Sequence, residues 1–158
     1  MDKLYRMIDG VLFYQEAWLE DGLFYHHWGR VGEVGEHNST PAGKRPSEKR
    51  LAEKALAPAL ADGYAAIDME DHAILLIEFA VDGFGTPEDL SKRRALQRRM
   101  NETLGWVGVG HCDGGSCGAN TMEVCCFVVD FAIAKHVIEK DLLDTEFANY
   151  TRIYLENA

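Results

Sequence analysis

The clearest alternation of apolar and polar positions lies in the second half of the chain. HAILLIEFAV, residues 72–81, is an apolar run of strand length and predicts a buried strand. Thr86-Pro87-Glu88-Asp89 reads as a helix start, with a capping hydroxyl, a proline in the first turn and acids at the positive end of the helix dipole. Leu90, Leu96, Met100 and Leu104 then share the inner side of a helix ending near Leu104. Trp106 to Gly110 predicts a short strand, HCDGGSCGAN (111–120) a glycine-rich loop, and MEVCCFVVD (122–130) another buried strand. Asp130 caps a further helix, in which Ala134, Val137, Ile138 and Leu142 recur at helical spacing. TRIYLE closes as an edge or central strand. The order β-α-β-β-α-β predicts a ferredoxin-like domain, an antiparallel sheet with two helices on one face.

The first half is patterned differently. An aromatic, strand-like run, LFYHH, ends at Trp28-Gly29-Arg30, with Gly32 and Gly35 beyond it. Glycine lets the backbone take a tight path there, so the segment reads as a strand ending in a kinked turn. Alternation sends His26 and His27 to opposite faces. A helix is predicted after Pro46, capped by Ser47, with Leu51, Ala55, Leu56, Ala59 and Leu60 on one face. Pro58 predicts a kink or early stop and Gly63 the C-terminal cap. ADGYAAIDMED reads as a short linker, which divides the chain into domains at 1–67 and 68–158.

At 158 residues, with 47% apolar and 27% charged side chains, the composition is that of a soluble globular protein. No apolar run reaches the roughly 20 residues that span a bilayer. MDKLYRMIDG lacks a signal pattern, so the expected location is the cytoplasm and no membrane partner is expected. Four cysteines, two of them adjacent at 125 and 126, do not form a secreted disulfide framework. The net charge of −10 falls mostly on residues 68–158, where eight basic side chains face sixteen acidic ones. Such a charge opposes nucleic acid at long range, so any contact there depends on local basic patches. Lys44, Arg45, Lys49, Arg50 and Lys54 make one, and Lys92, Arg93, Arg94, Arg98 and Arg99 a second.

The run HHWGRVGEVG is similar to the turn of the WGR domain family. The resemblance covers residues 4–66, about 40% of the chain. LYRMID and VLFYQEAWL stand where that family has its first two strands, FYHHWGRVGEVGE its WGR turn, and HNSTPAGKRP a polar loop. SEKRLAEKALAPALADGY matches its helix, which closes on a Gly-Tyr pair, here Gly63-Tyr64. WGR domains occur in poly(ADP-ribose) polymerases, where they help bind DNA ends and relay that contact, and in bacterial proteins described as molybdate-metabolism regulators. The resemblance implies a WGR-like antiparallel sheet with a helix, followed here by the ferredoxin-like domain, in an α+β chain. It also implies that Trp28 packs on a terminal sugar or base and that Arg30 contacts a phosphate. Lys44, Arg45, Lys49 and Arg50 would add phosphate contacts on grounds of charge alone.

His111, Cys112, Asp113, Gly114, Gly115 and Cys117 form the second constellation. They bring an imidazole, two thiols and a carboxylate into seven residues. A metal site, an anion-binding glycine loop and a cysteine nucleophile are each conceivable there. The segment lacks CxxC spacing and a Walker lysine, and it precedes a strand rather than a helix. A wide hairpin, with glycines in its turns and cysteines filling the core, fits better, with a small-ligand pocket as the main rival. His37, His72 and His136 are isolated in sequence. The expectation is a non-enzymatic binding module with no catalytic residues, metal or cofactor, whose partner is a DNA end or nick. The alternatives are a protein-interaction or interdomain role, a homodimer included, and a small-ligand or metal sensor built on residues 111–118.

Overall fold

The computed structural model describes residues 3–44 and 47–157. Two antiparallel sheets and three α-helices make an α+β chain. In the first sheet β1 (Lys3–Ile8), β2 (Val11–Glu20) and β3 (Leu23–Arg30) form a meander. Asp9-Gly10 and Asp21-Gly22 make its two hairpin turns, and all four residues have positive φ. Two such residues give the turn a twist matching that of the strands. β4 (Glu36–Pro41) pairs outside β3, and β5 (Ala65–Ala66) outside β1.

Two sequence expectations change here. The polar stretch after the WGR turn holds a strand over Glu36–Pro41 rather than a loop. Every residue of it is exposed, so no apolar alternation marks it. The supposed linker contributes β5 and a short 3-10 turn at Met69–Asp71. Between β4 and β5, α1 (Glu48–Ala61) continues through Pro58 and ends at Asp62. It lays Leu56 and Ala59 on Leu4, Ala17 and Phe24 of the first sheet.

The second sheet runs β7-β8-β6-β9, from β6 (Ala73–Ala80), β7 (Gly110–Gly118), β8 (Thr121–Val128) and β9 (Arg152–Leu155). α2 (Pro87–Trp106) starts in a full capping box between Thr86 and Asp89, and α3 (Phe131–Leu142) starts on the Asp130 cap. Burial along β8 alternates strictly: Met122, Val124, Cys126 and Val128 pack with Leu96, Met100 and Leu104 of α2 and Ala134, Ile138 and Leu142 of α3. Trp106 belongs to the last turn of α2 and not to a strand, which starts only at Gly110. The 111–120 segment is mostly strand β7, irregular between Cys112 and Gly115 and closed by the turn Ala119-Asn120. Its glycines hide the alternation that would mark a strand. One core crosses between the sheets, because Tyr5, Tyr14 and Val31 of the first half pack with the buried residues of the second.

Candidate functional site

Because β2 and β3 pair in fixed register, the first sheet presents its side chains in rows. Arg6, Phe13 and Arg30 make one row, and Gln15, Trp28 and Glu36 the next. His26 follows, its Nε2 lying 3.1 Å from Gln15 Oε1 and its ring 4.9 Å from that of Trp28. This is the face on which α1 packs: α1 covers Ala17 and Phe24 toward the other end, and also Leu4, which stands beyond Gln15 in the Trp28 row. Neither Phe13 nor Trp28 joins a core cluster. Arg30 is exposed and meets Glu33 at 3.5 Å, a loose surface pair of little energetic consequence.

The structure divides the basic residues assigned from charge. Arg45 lies outside the described residues. Lys44, Lys49 and Arg50 are exposed, and Lys49 only brushes Glu53 at 4.0 Å. They lie toward the far end of the sheet, where Glu48 accepts from the Leu19 amide and Ala42 bonds Gly22. At the ordinary strand rise, that end is about 20 Å from the Arg30 row. Two of the five residues of the α2 basic patch are engaged within the fold. Arg99 is paired with Asp141 at 2.7 Å, and Lys92 donates to Asn149 and lies 4.7 Å over the Phe79 ring.

The other face of the sheet carries a buried polar chain that no sequence motif marks. Glu16, 4% exposed, sits between Lys3 Nζ at 3.1 Å and His27 Nδ1 at 2.8 Å. His27 Nε2 lies 3.0 Å from the Tyr14 hydroxyl, which also reaches the Trp106 carbonyl at 3.3 Å. Tyr5 donates to the Gly108 carbonyl at 3.1 Å. Burial, with Glu16 close by, pushes both phenols above their ordinary range, so they stay protonated as donors. A sequence signal for this chain did exist. The two Asp-Gly turns fix the registers, and those registers place Lys3 opposite Glu16 and Glu16 opposite His27.

From the WGR turn, Val31 and Gly32 reach the second half. Val31 is buried in the shared core, and the Gly32 amide donates to the Val107 carbonyl at 2.8 Å. Among the described residues the turn's hydrogen bond and core contact at this junction come from Gly32 and Val31, and the ion pair of Arg30 is with Glu33.

The 111–117 constellation is dispersed by strand alternation. Cys112 points inward, its thiol donating to the Cys125 carbonyl at 3.1 Å, while His111 stacks on Phe127 on the outer face. Asp113 and Gly114 occupy the irregularity, Gly115 pairs with Val124, and Cys117 is half-buried. Among the described residues no three His, Cys, Asp or Glu side chains gather as a metal site. A hydrogen bond with Cys112, together with burial, pushes the Cys126 thiol up, and burial raises that of Cys125. Neither is an activated thiolate. Two histidines are less isolated than the sequence suggests: His37 meets the Trp106 ring at 5.9 Å, and His72 meets His111 at 6.5 Å.

Burial lowers His26 and His111, each further depressed by a neighbouring histidine. The unfolded chain therefore binds protons that the folded chain refuses, so stability falls with acidification. The loss begins as the pH drops through the ordinary histidine value of about 6.5 and grows through the lower folded values. Urea midpoints should decline between pH 7.5 and 5.5, and the decline should shrink in a His26→Gln/His111→Gln double variant. An unchanged slope in that variant would assign the effect elsewhere.

Comparisons with known proteins found no family model, no curated protein and no solved structure that matches the chain. No helix of the described residues is long and apolar enough to cross a membrane.

Proposed function

We propose that this chain is a non-enzymatic binding module that takes a nucleic-acid end on the open part of its first sheet. The observation that carries the reading is the side-by-side display of Phe13, Trp28 and His26 with Arg6 and Arg30 on one face. Aromatic rings on a sheet stack bases or terminal sugars, and guanidinium groups beside them take phosphates. We read the first half as WGR-like, on its motif and element order. We read the second as ferredoxin-like, because its β-α-β-β-α-β chain is laid out as β7-β8-β6-β9 with both helices on one face.

Lys44, Lys49 and Arg50 then contact only a duplex that extends past the end by about 20 Å, the spacing given by strand rise. The strong acidity of the rest of the chain limits counterion release to these few cations. A second reading, the turn as the joint between the two halves, is favoured by Val31 and Gly32 rather than by the motif's indole and guanidinium.

The test is a fluorescence titration with short duplexes, nicked or 5′-phosphorylated, at two salt concentrations. Micromolar binding that weakens with salt is expected, with a loss of about tenfold or more in Trp28→Ala and in Arg30→Ala. Absence of binding at low salt by folded protein would refute nucleic-acid recognition and leave the joint reading.

A further inference from the structure

Between the first sheet and the C-terminal end of α2 lies a cleft of about 680 Å³, the size of an ordinary small-molecule site. Trp18 and Trp106 line it, their rings edge to face with centroids 5.9 Å apart. Trp106 is 42% exposed, a large apolar surface for a ring lining a cavity.

The charge of the cleft is one-sided. Among the described residues lining it, one lysine faces three glutamates, Glu16, Glu20 and Glu102. Lys3 is already engaged by Glu16 at 3.1 Å and by the Gly105 carbonyl at 3.3 Å. Glu20 accepts from the Trp18 indole at 3.3 Å, a bond that leaves its charge uncompensated. Among the described residues no cation lies within salt-bridge distance of Glu102. The α2 terminus has no basic residue in its last turn, and the Lys3 ammonium on its Gly105 carbonyl is shared with Glu16, so the rim carboxylates of Glu20 and Glu102 carry the charge of the cleft.

We propose that this cleft binds a small organic cation, an alkyl- or arylammonium. Its charge is held by Glu102 and Glu20, and its apolar body lies against Trp106 and Trp18. An ammonium over an indole face is favoured by the ring quadrupole, and more so where water is partly excluded. The site lies on the face opposite Trp28 and is independent of the nucleic-acid reading.

Three probes of similar shape decide it by calorimetric titration: phenethylammonium, phenethyl alcohol and hydrocinnamate. The ammonium is expected to bind at least about tenfold tighter than the alcohol, an advantage of the size a cation–π contact and a carboxylate supply. Hydrocinnamate should bind more weakly still. Glu102→Gln, a change at an exposed position, should erase most of the preference for the ammonium, and Trp106→Phe should weaken it severalfold. Trp28→Ala should leave it unchanged, which separates this site from the nucleic-acid face. Equal or tighter binding of hydrocinnamate, no ammonium binding by folded protein, or an undiminished preference in Glu102→Gln would overturn the proposal.

Discussion

Gly108→Ala is expected to cost about 2–5 kcal/mol, the sum of a left-handed backbone and an overpacked ring. Gly108 has φ +67°, and a Cβ there would lie 2.2 Å from Cδ1 of Tyr14. Tyr14 is fully buried and bonded at its hydroxyl, so the ring has nowhere to go. The site is the seam between the two halves, where both sheets share their core. In a chain of this length such a loss lowers Tm by on the order of 5–15 °C. Gly83→Ala supplies the control, since Gly83 has φ +60° but nothing within 4 Å of where its Cβ would stand. If thermal melts show equal losses for the two variants, the seam is not packed as described.

Glu16→Ala is expected to lose about 3–5 kcal/mol, the usual result of breaking a buried ion pair by removing one partner. The carboxylate is nearly inaccessible, and its removal leaves the fully buried His27 without its Nδ1 partner and Lys3 with the Gly105 carbonyl alone. Lys3→Met should cost less, because Glu16 keeps its bond to His27. The two substitutions should couple by more than about 1 kcal/mol in a double-mutant cycle, as contacting charged residues do. Strict additivity in urea denaturation would show that Lys3 and Glu16 do not act as a pair.

Much of the second half is legible in the sequence because its signals are local. The Thr86 and Asp130 caps, the helical spacing of Leu96, Met100 and Leu104, and the apolar run of 74–79 each specify an element without reference to a distant partner. Where the local signal fails, so does the reading. β4 is exposed throughout and β7 is built on glycines, so neither shows an apolar face, and Trp106 extends a helix expected to stop at Leu104.

The candidate sites divide along the same line. Sequence alone places Trp28 and Arg30 at a strand end, sends His26 and His27 to opposite faces, and fixes the hairpin registers through two Asp-Gly turns. It therefore determines, in principle, that Lys3, Glu16 and His27 are neighbours. Which part of its face α1 leaves open, the separation of Lys49 and Arg50 from Arg30, and the packing of Trp106 against Trp18 were decided only by tertiary structure. Those contacts join residues many positions apart through the burial of Tyr5, Tyr14 and Val31. Apolar burial is non-directional, so no short segment of the chain encodes where such residues meet.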